Sequence, residues 1–502
     1  MGMVPKIMTA AVVGLDAQLV EVEADISNGL PYSIIVGLPD TAVQESRERV
    51  KSALRNCGLA YPYSRVSVNL APADVPKVGT HYDLPIALAV LLASGQVNFA
   101  TAKSMFAGEL SLDGRLRPAG GVLAMAMRAR ESGFRELYVP QANAAEAALI
   151  GGLKVYGVGD LEELLKHLRG LAILPEASNR VKNSLQTKAV EVDLEDIAGQ
   201  EMAKRALEVA SAGNHNLILK GPPGSGKTML ARAMAGILPR LTAEEQLELT
   251  KIYSVAGKLA ANFIGSRPVR SPHHTSSRVA LIGGGGVPRP GEITLAHRGV
   301  LFLDECAEFP RAVLEALRQP LEDGVVAITR SRETLSFPAK FLLIAALNRC
   351  PCGYYGDPDK ACTCAMGQVM GYQKKFSGPL LDRIDLHVEV PRLPYEKLAA
   401  AGRAEPSAVV RQRVEAARLI QRKRFGSVKT NSEMSPRQVR QFCRLSGEGH
   451  ELLKTAARRY LLSGRGVARV LKTARTIADL AGDKEIATKH LAEALQYRIR
   501  IE

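Results

Sequence analysis

The run NLILKGPPGSGKTMLARAMAG, residues 216–236, constrains this chain more than any other stretch. It reads as an apolar strand, a glycine-rich turn and the start of a helix. Gly221 to Thr228 fits the G-x-x-x-x-G-K-[ST] spacing in the strand–loop–helix context that gives the spacing meaning. Such a unit belongs in a mostly parallel sheet covered by helices, so the central fold is expected to be α/β. The turn comprises Gly221, Pro222, Pro223, Gly224, Ser225 and Gly226, and Lys227, Thr228 and Met229 open the helix. Its glycines let backbone N–H groups close around phosphates, and the helix N-terminus adds a positive dipole end. Lys227 is placed to reach the β- and γ-phosphates and Thr228 to ligate Mg²⁺, so ATP and Mg²⁺ are the implied cofactors.

Two further strand ends supply what hydrolysis needs. Gly299–Leu303 is apolar and runs into Asp304 and Glu305. Asp304 would hold Mg²⁺, directly or through water, and Glu305 would polarise the attacking water. Breaking a phosphoanhydride is mostly positioning and charge neutralisation, so few groups suffice. The strand FLLIAALN then ends in Asn348, whose amide can orient the lytic water. The order phosphate loop, acidic strand end, strand-end Asn is that of AAA+ proteins, in which Asn348 takes the sensor-1 position.

Around this core the 502-residue chain divides into blocks. Residues 1–172 mix strand-like runs (32–36, 65–69, 137–139) with helical ones (83–93, 123–132), and 173–192 reads as a polar linker. Residues 193–392 alternate strands and helices, and 393–502 is helical throughout. No signal peptide opens the chain, and the longest apolar run, Leu84–Ala93, is too short to cross a bilayer. No membrane partner is expected. Seven cysteines without an export signal suit a reducing cytoplasm. Charge is polarised. Residues 403–502 carry 22 Lys/Arg against 10 Asp/Glu, a net +12, whereas residues 1–172 carry 16 against 17, a net −1. A basic C-terminal block suggests a polyanionic partner, with a solubilising helical surface as the plainer explanation.

Cys350 and Cys352 are followed by Cys362 and Cys364, a C-x-C-x9-C-x-C pattern. Four thiolates on two short turns suit a tetrahedral structural Zn²⁺, although C-x-x-C is the commoner zinc spacing. Residues 322–341 alternate like a β-hairpin, with Arg330 and Arg332 near its tip placed to grip phosphates of DNA without reading sequence. His273 and His274, in the Arg-, His- and Gly-rich 267–289 segment, have no Cys or acid at ligand spacing and read as loop residues.

The strings RPVRSPHHTSSRVALIGGGG, PRPGEITLAHRGVLFLDE, FLLIAALNRCPCGYYGD, SGPLLDRIDLHVEV and VLKTARTIADLAG closely resemble the ComM/YifB family of magnesium-chelatase-like AAA+ ATPases, over nearly the whole chain. The resemblance implies an AAA+ P-loop core with a C-terminal helical lid, preceded by a Lon-protease-like α/β domain. It implies a homo-oligomeric, hexameric ring. The family task would be DNA branch migration in natural transformation, on branched or single-stranded DNA with weak sequence preference. It makes Arg383, in LLDRID, an arginine finger facing the neighbour's γ-phosphate. An ion pair with Asp382 or Asp385 is its other role. It offers Arg465 as the sensor-2 residue, with Arg469 one turn on as the competing assignment. AGELSLDGRLRPAGGV and SGFRELYVPQANAAEA resemble Lon, but Asp83-Leu84-Pro85 stands where Lon has its serine and Met125 where it has its lysine. A nucleophile and its base are both required, so residues 1–172 read as a non-proteolytic assembly or protein-partner domain. The alternative functions are a magnesium-chelatase-type ATPase and another protein-remodelling AAA+ ATPase.

Overall fold

The computed structural model describes residues 6–178, 191–259, 263–286, 288–329, 334–376, 378–394 and 404–498. They form two compact units: Met1–Leu185 with Ala243–Ile264 and Gly285–Pro290, and the remainder.

The first unit is built on a seven-stranded mixed sheet. Its strands are β1 (Lys6–Val13), β2 (Asp16–Ser27), β3 (Tyr32–Val36), β4 (Arg65–Ala71), β5 (Ser104–Phe106), β8 (Glu136–Pro140) and β9 (Lys154–Val158), in the order β3-β4-β2-β1-β5-β8-β9; a small separate pair is formed by β6 (Glu109–Leu110) and β7 (Leu116–Arg117). The β1–β2 hairpin turns at Gly14, whose φ of +64° is the left-handed conformation glycine adopts without steric cost. Along β2, Val20, Val22 and Ala24 go inward while Glu21, Glu23 and Asp25 lie on the other face. Helix α1 (Thr41–Asn56) is capped by Asp40. Helices α2 (Asp83–Ala93) and α3 (Val122–Glu131) are buried along most of their length, α2 more fully, as its unbroken apolar run requires. Asp83 opens α2 at zero exposure. Arg49 Nε donates to its Oδ2 at 2.7 Å, and Ser46 donates to its Oδ1. Burial pushes this carboxyl up and the Arg49 and Ser46 hydrogen bonds pull it back. Met125 is fully buried. The beginning of the expected linker belongs to this unit: Leu174 is buried, and the Ala177 N–H donates to Val155 O at 2.8 Å. Helix Ala243–Val255, which interrupts the P-loop block in sequence, also packs here. Leu247 and Val255 lie against the α3 core.

In the second unit, β10 (Leu217–Lys220), β11 (Val269–Arg270), β12 (Val300–Leu303), β15 (Leu342–Leu347) and β16 (Leu386–Glu389) form one parallel sheet, in the order β11-β12-β15-β10-β16. Between β12 and β15 runs an antiparallel hairpin, β13 (Val325–Thr329) with β14 (Thr334–Pro338), paired from Val325↔Pro338 to Thr329↔Thr334. Its tip, with Arg330 and Arg332, lies outside the described residues. The strands β10, β12 and β15 are buried almost throughout, as continuous apolar runs demand in a sheet covered on both faces.

The lid comprises helices Ser407–Phe425, Pro436–Phe442, Gly447–Arg459, Gly464–Ala481 and Thr488–Gln496. The sequence marks their starts. Ser435 caps Pro436–Phe442 with Gln438 closing a capping box, and Ser446 and Ser463 cap the next two through the N–H groups of Gly449 and Gly466. Val470, Ala474 and Ile477 pack into the same core as β10 and the helix Glu201–Gly213.

Candidate functional site

In a parallel sheet every strand ends on the same edge, so three motifs far apart in sequence meet there. The Gly221 N–H donates to the carbonyl of Leu347, the residue before Asn348, at 3.1 Å. A Cβ on Gly221 would collide with Val390 O, so only glycine lets the chain leave the sheet here. Gly224 (φ +74°) and Gly226 (φ +91°) hold left-handed conformations that shape the loop. Lys227, nine-tenths buried, donates from Nζ to the carbonyls of Gly221 (2.8 Å) and Pro222 (2.7 Å). Burial pushes its ammonium down to about 8, against the opposing charges of Asp304 and Glu305. The Oγ of Ser225 is buried with no hydrogen-bond partner among the described residues. Met229 is 44% exposed.

Thr228 Oγ1 donates to Asp304 Oδ2 at 2.9 Å, and the Glu305 N–H donates to Asp304 Oδ1 at 3.0 Å. Glu305 itself is exposed and adopts φ 46°, ψ 47°, which costs a non-glycine residue about 1 kcal/mol and is concentrated at functional sites. Asn348 is half-buried at the end of β15. The site therefore offers a buried cation, an orphaned buried hydroxyl, a left-handed glycine loop at a helix start, and hydroxyl and carboxylate oxygens suited to a hard divalent cation. That donor set fits Mg²⁺ and a nucleotide's phosphates.

Arg383 and Arg465 stand elsewhere. They line a cleft of 770 Å³ with Asn216, Arg298, Phe341 and Asp385, residues at or just before the beginnings of β10, β12, β15 and β16. This is the opposite edge of the sheet from the phosphate loop. Glu322 bridges the two arginines, pairing with Arg383 and, at 3.0 Å, with Arg465 Nη2. The hydrogen bond from Arg383, then the charges of Arg465 and Arg469, hold its carboxyl below the usual range. The Arg383 guanidinium is engaged by Glu322, and one of the acids expected to pair with it, Asp385, is committed elsewhere. Asp385 is taken by Arg469 Nη1 at 2.5 Å and by His215 Nδ1 at 3.3 Å. Burial would raise the Asp385 carboxyl, but Arg469 and His215 hold it far below the carboxylate range. Arg465 is 68% exposed in its side chain and Arg469 only 22%. Nothing in the sequence marks Glu322 as a partner, because it is an ordinary acidic residue on the short helix Arg318–Asp323.

The four cysteine sulfurs all lie within 4.8 Å of one another. His273, by contrast, bonds Thr275 Oγ1 at 2.8 Å within its own loop, and the four-cysteine group is the metal-type cluster found among the described residues.

Comparison with known proteins places the chain. Three family profiles match in succession: Subunit ChlI of Mg-chelatase over residues 22–143, Magnesium chelatase, subunit ChlI over 193–398, and Magnesium chelatase, subunit ChlI C-terminal over 404–498. The Competence protein ComM of Haemophilus influenzae is 44% identical over 99% of this chain and 97% of its own length. The chain belongs to the ComM/YifB family of magnesium-chelatase-like AAA+ ATPases. YifB of Escherichia coli, itself uncharacterized, is 44% identical over 98% of this chain and 96% of its own. Lon protease 2 of Bacillus subtilis is 28% identical over 38% of this chain and 37% of its own length. The fold is thus the expected AAA+ α/β architecture with Lon homology, and membership makes the chain an AAA+ ATPase that uses ATP and Mg²⁺. No helix among the described residues is long and apolar enough to cross a membrane.

Proposed function

We propose that this ATPase is a cytoplasmic, ring-forming DNA motor, a branch-migration helicase of natural transformation or recombination, whose hydrolysis sites are completed by a neighbouring copy. The observation that carries the assembly is the separation of Lys227, Thr228, Asp304, Glu305 and Asn348 from Arg383 and Arg465 on opposite edges of one parallel sheet. No rearrangement inside a packed sheet brings these edges together, whereas a ring of identical copies, hexameric as in related motors, sets one edge against the other.

Each residue then has a task. Lys227 supplies charge to the β- and γ-phosphates, and Thr228 and Asp304 offer oxygens to Mg²⁺. Glu305 and Asn348 orient the attacking water. Arg383 and Arg465 neutralise charge on the neighbour's γ-phosphate. The exposure of Arg465 favours it over Arg469, which the buried Asp385 already holds. The DNA task is supported by the name of the competence relative and by the basic lid. Asp83, committed to Arg49 and Ser46, and Met125, which offers no base, favour a non-proteolytic first unit that serves assembly or a protein partner.

The test is complementation. Arg383→Ala and Lys227→Ala chains should each be inactive alone and regain ATPase when mixed into common rings, since each supplies the half the other lacks. Failure to regain activity at every ratio, with mixed rings verified by mass, would remove the trans arrangement.

A further inference from the structure

The four-cysteine loop begins two residues beyond Asn348, at the sheet edge where the phosphate loop stands. Three of its sulfur pairs are 3.3 Å (Cys350–Cys352), 3.6 Å (Cys352–Cys362) and 3.7 Å (Cys350–Cys362) apart. A disulfide requires about 2.05 Å. Four sulfurs at about 2.3 Å from a tetrahedral zinc lie about 3.8 Å from one another, which is close to the spacing seen. Backbone N–H groups point at the sulfurs as they do at thiolates: Tyr355 to Cys350 Sγ at 3.3 Å, and Cys352 to Cys364 Sγ and Cys364 to Cys362 Sγ at 3.4 Å each. Side chains converging this closely repel as thiolates unless a cation sits among them.

The same loop bears on the phosphate loop. Gly353, one residue past Cys352, has φ +88°, and a Cβ there would collide with Cγ and Cδ of Pro223. The turn is closed by the Gly353 N–H donating to Cys350 O at 3.0 Å. The loop is anchored on its other side by Arg349, which pairs with Glu389 at the end of β16 and accepts through its carbonyl from Gln373 Nε2 at 3.3 Å.

We propose that Cys350, Cys352, Cys362 and Cys364 bind one Zn²⁺, and that this ion holds the Gly353 turn against Pro223 so that the phosphate loop is fixed for nucleotide. The second half rests on the nucleotide-site reading given above; the metal site does not. Binding would form four Zn–S bonds, releasing the thiol protons to solvent with no change of oxidation state.

Full-length protein purified without chelator should carry about one zinc per chain by elemental analysis. The Cys362→Ser/Cys364→Ser variant should lose it. Removing zinc from the wild type with a chelator should weaken binding of fluorescent mant-ADP about tenfold, which corresponds to about 1.4 kcal/mol, and adding zinc back should restore it. Gly353→Ala should keep the zinc yet bind mant-ADP more weakly, because the added methyl displaces Pro223 and strains a left-handed turn. Zinc-free wild type with four titratable thiols would overturn the metal site. Unchanged nucleotide affinity in both the chelated protein and Gly353→Ala, with zinc counted at one in the untreated chain, would overturn the coupling alone. A zinc-loaded wild type that binds no nucleotide would overturn the nucleotide reading and the coupling with it, and leave the metal site standing.

Discussion

Lys227 shows how a single buried cation can make ligand binding depend on pH. Burial brings its ammonium down to about 8, while phosphates brought beside it favour the charged form and would raise it again. Below pH 8 the side chain is already protonated and binding needs no proton from solvent. Above pH 8 the protein must take one up, so affinity falls by up to about tenfold per pH unit until the pKa of the complex is reached. For folding alone the sign is reversed, because the cost of burying a charged ammonium is relieved as pH rises from about 8 toward 10.5. The expected outcome is that the Kd for MgATP rises between pH 7.5 and pH 9, with proton uptake visible by titration calorimetry in buffers of different ionisation enthalpy. Lys227→Arg, which stays charged throughout, should bind with a flatter profile. A wild-type affinity that is constant over this range would mean that Lys227 does not meet the phosphates.

Elements were legible where one local rule decides them. The strand–loop–helix at 216–236, the apolar runs of β12 and β15, the 325–338 hairpin and the buried helix Asp83–Ala93 all announce themselves by periodicity or turn chemistry. The hairpin β1–β2 is not legible in this way, because Lys6–Val13 is a nearly unbroken apolar run whose strand character is decided by its neighbours β2 and β5. Membership of Ala243–Val255 in the first unit was not legible either. The helix's buried residues, Glu245, Thr250 and Ser254 as well as Leu249, Ile252 and Tyr253, form no clear apolar stripe that would say which core receives it. Most of all, sequence order hides which edge of the sheet a residue occupies, so Arg383 and Arg465 could be named but not placed opposite the phosphate loop. The same placement separates the two candidate arginines by stability. Arg469 neutralises a carboxylate that is almost wholly buried, so Arg469→Ala leaves Asp385 with only His215 and the Asn216 N–H among the described residues and should cost about 3–5 kcal/mol, the range for breaking a buried pair. Arg465 and Glu322 are both substantially exposed, and Arg465→Ala should cost less than about 1 kcal/mol. Thermal unfolding of the two variants beside wild type checks this; equal shifts would mean that Arg469 has no larger structural role than Arg465.

At the scale of the whole molecule, the charge excess must be sorted before it can be called a DNA surface. Part of the lid's positive charge is spent internally: Arg424 and Arg475 both pair with Asp479, and Arg413 pairs with Glu208 and Glu405. Arg422, Lys423, Arg437, Arg440, Arg444, Arg458 and Arg459 are exposed and remain to face a partner. Phosphate contacts of this kind release counterions, so DNA affinity should fall steeply and linearly on a log–log plot against salt, by about 0.9 in slope for each phosphate neutralised on duplex. Sequence preference should be weak, since backbone contacts position a protein without reading bases. Replacing Arg330 and Arg332 by Ala should shallow the salt slope and reduce DNA stimulation of ATPase, while the DNA-free rate should persist, since neither is among the residues assigned to nucleotide. Strand exchange on branched DNA should fail before hydrolysis does. If the double variant also loses its DNA-free ATPase, the hairpin serves the fold rather than the track; if it moves DNA as wild type does, the exposed lid arginines become the track, and removing charge there should then flatten the salt dependence instead.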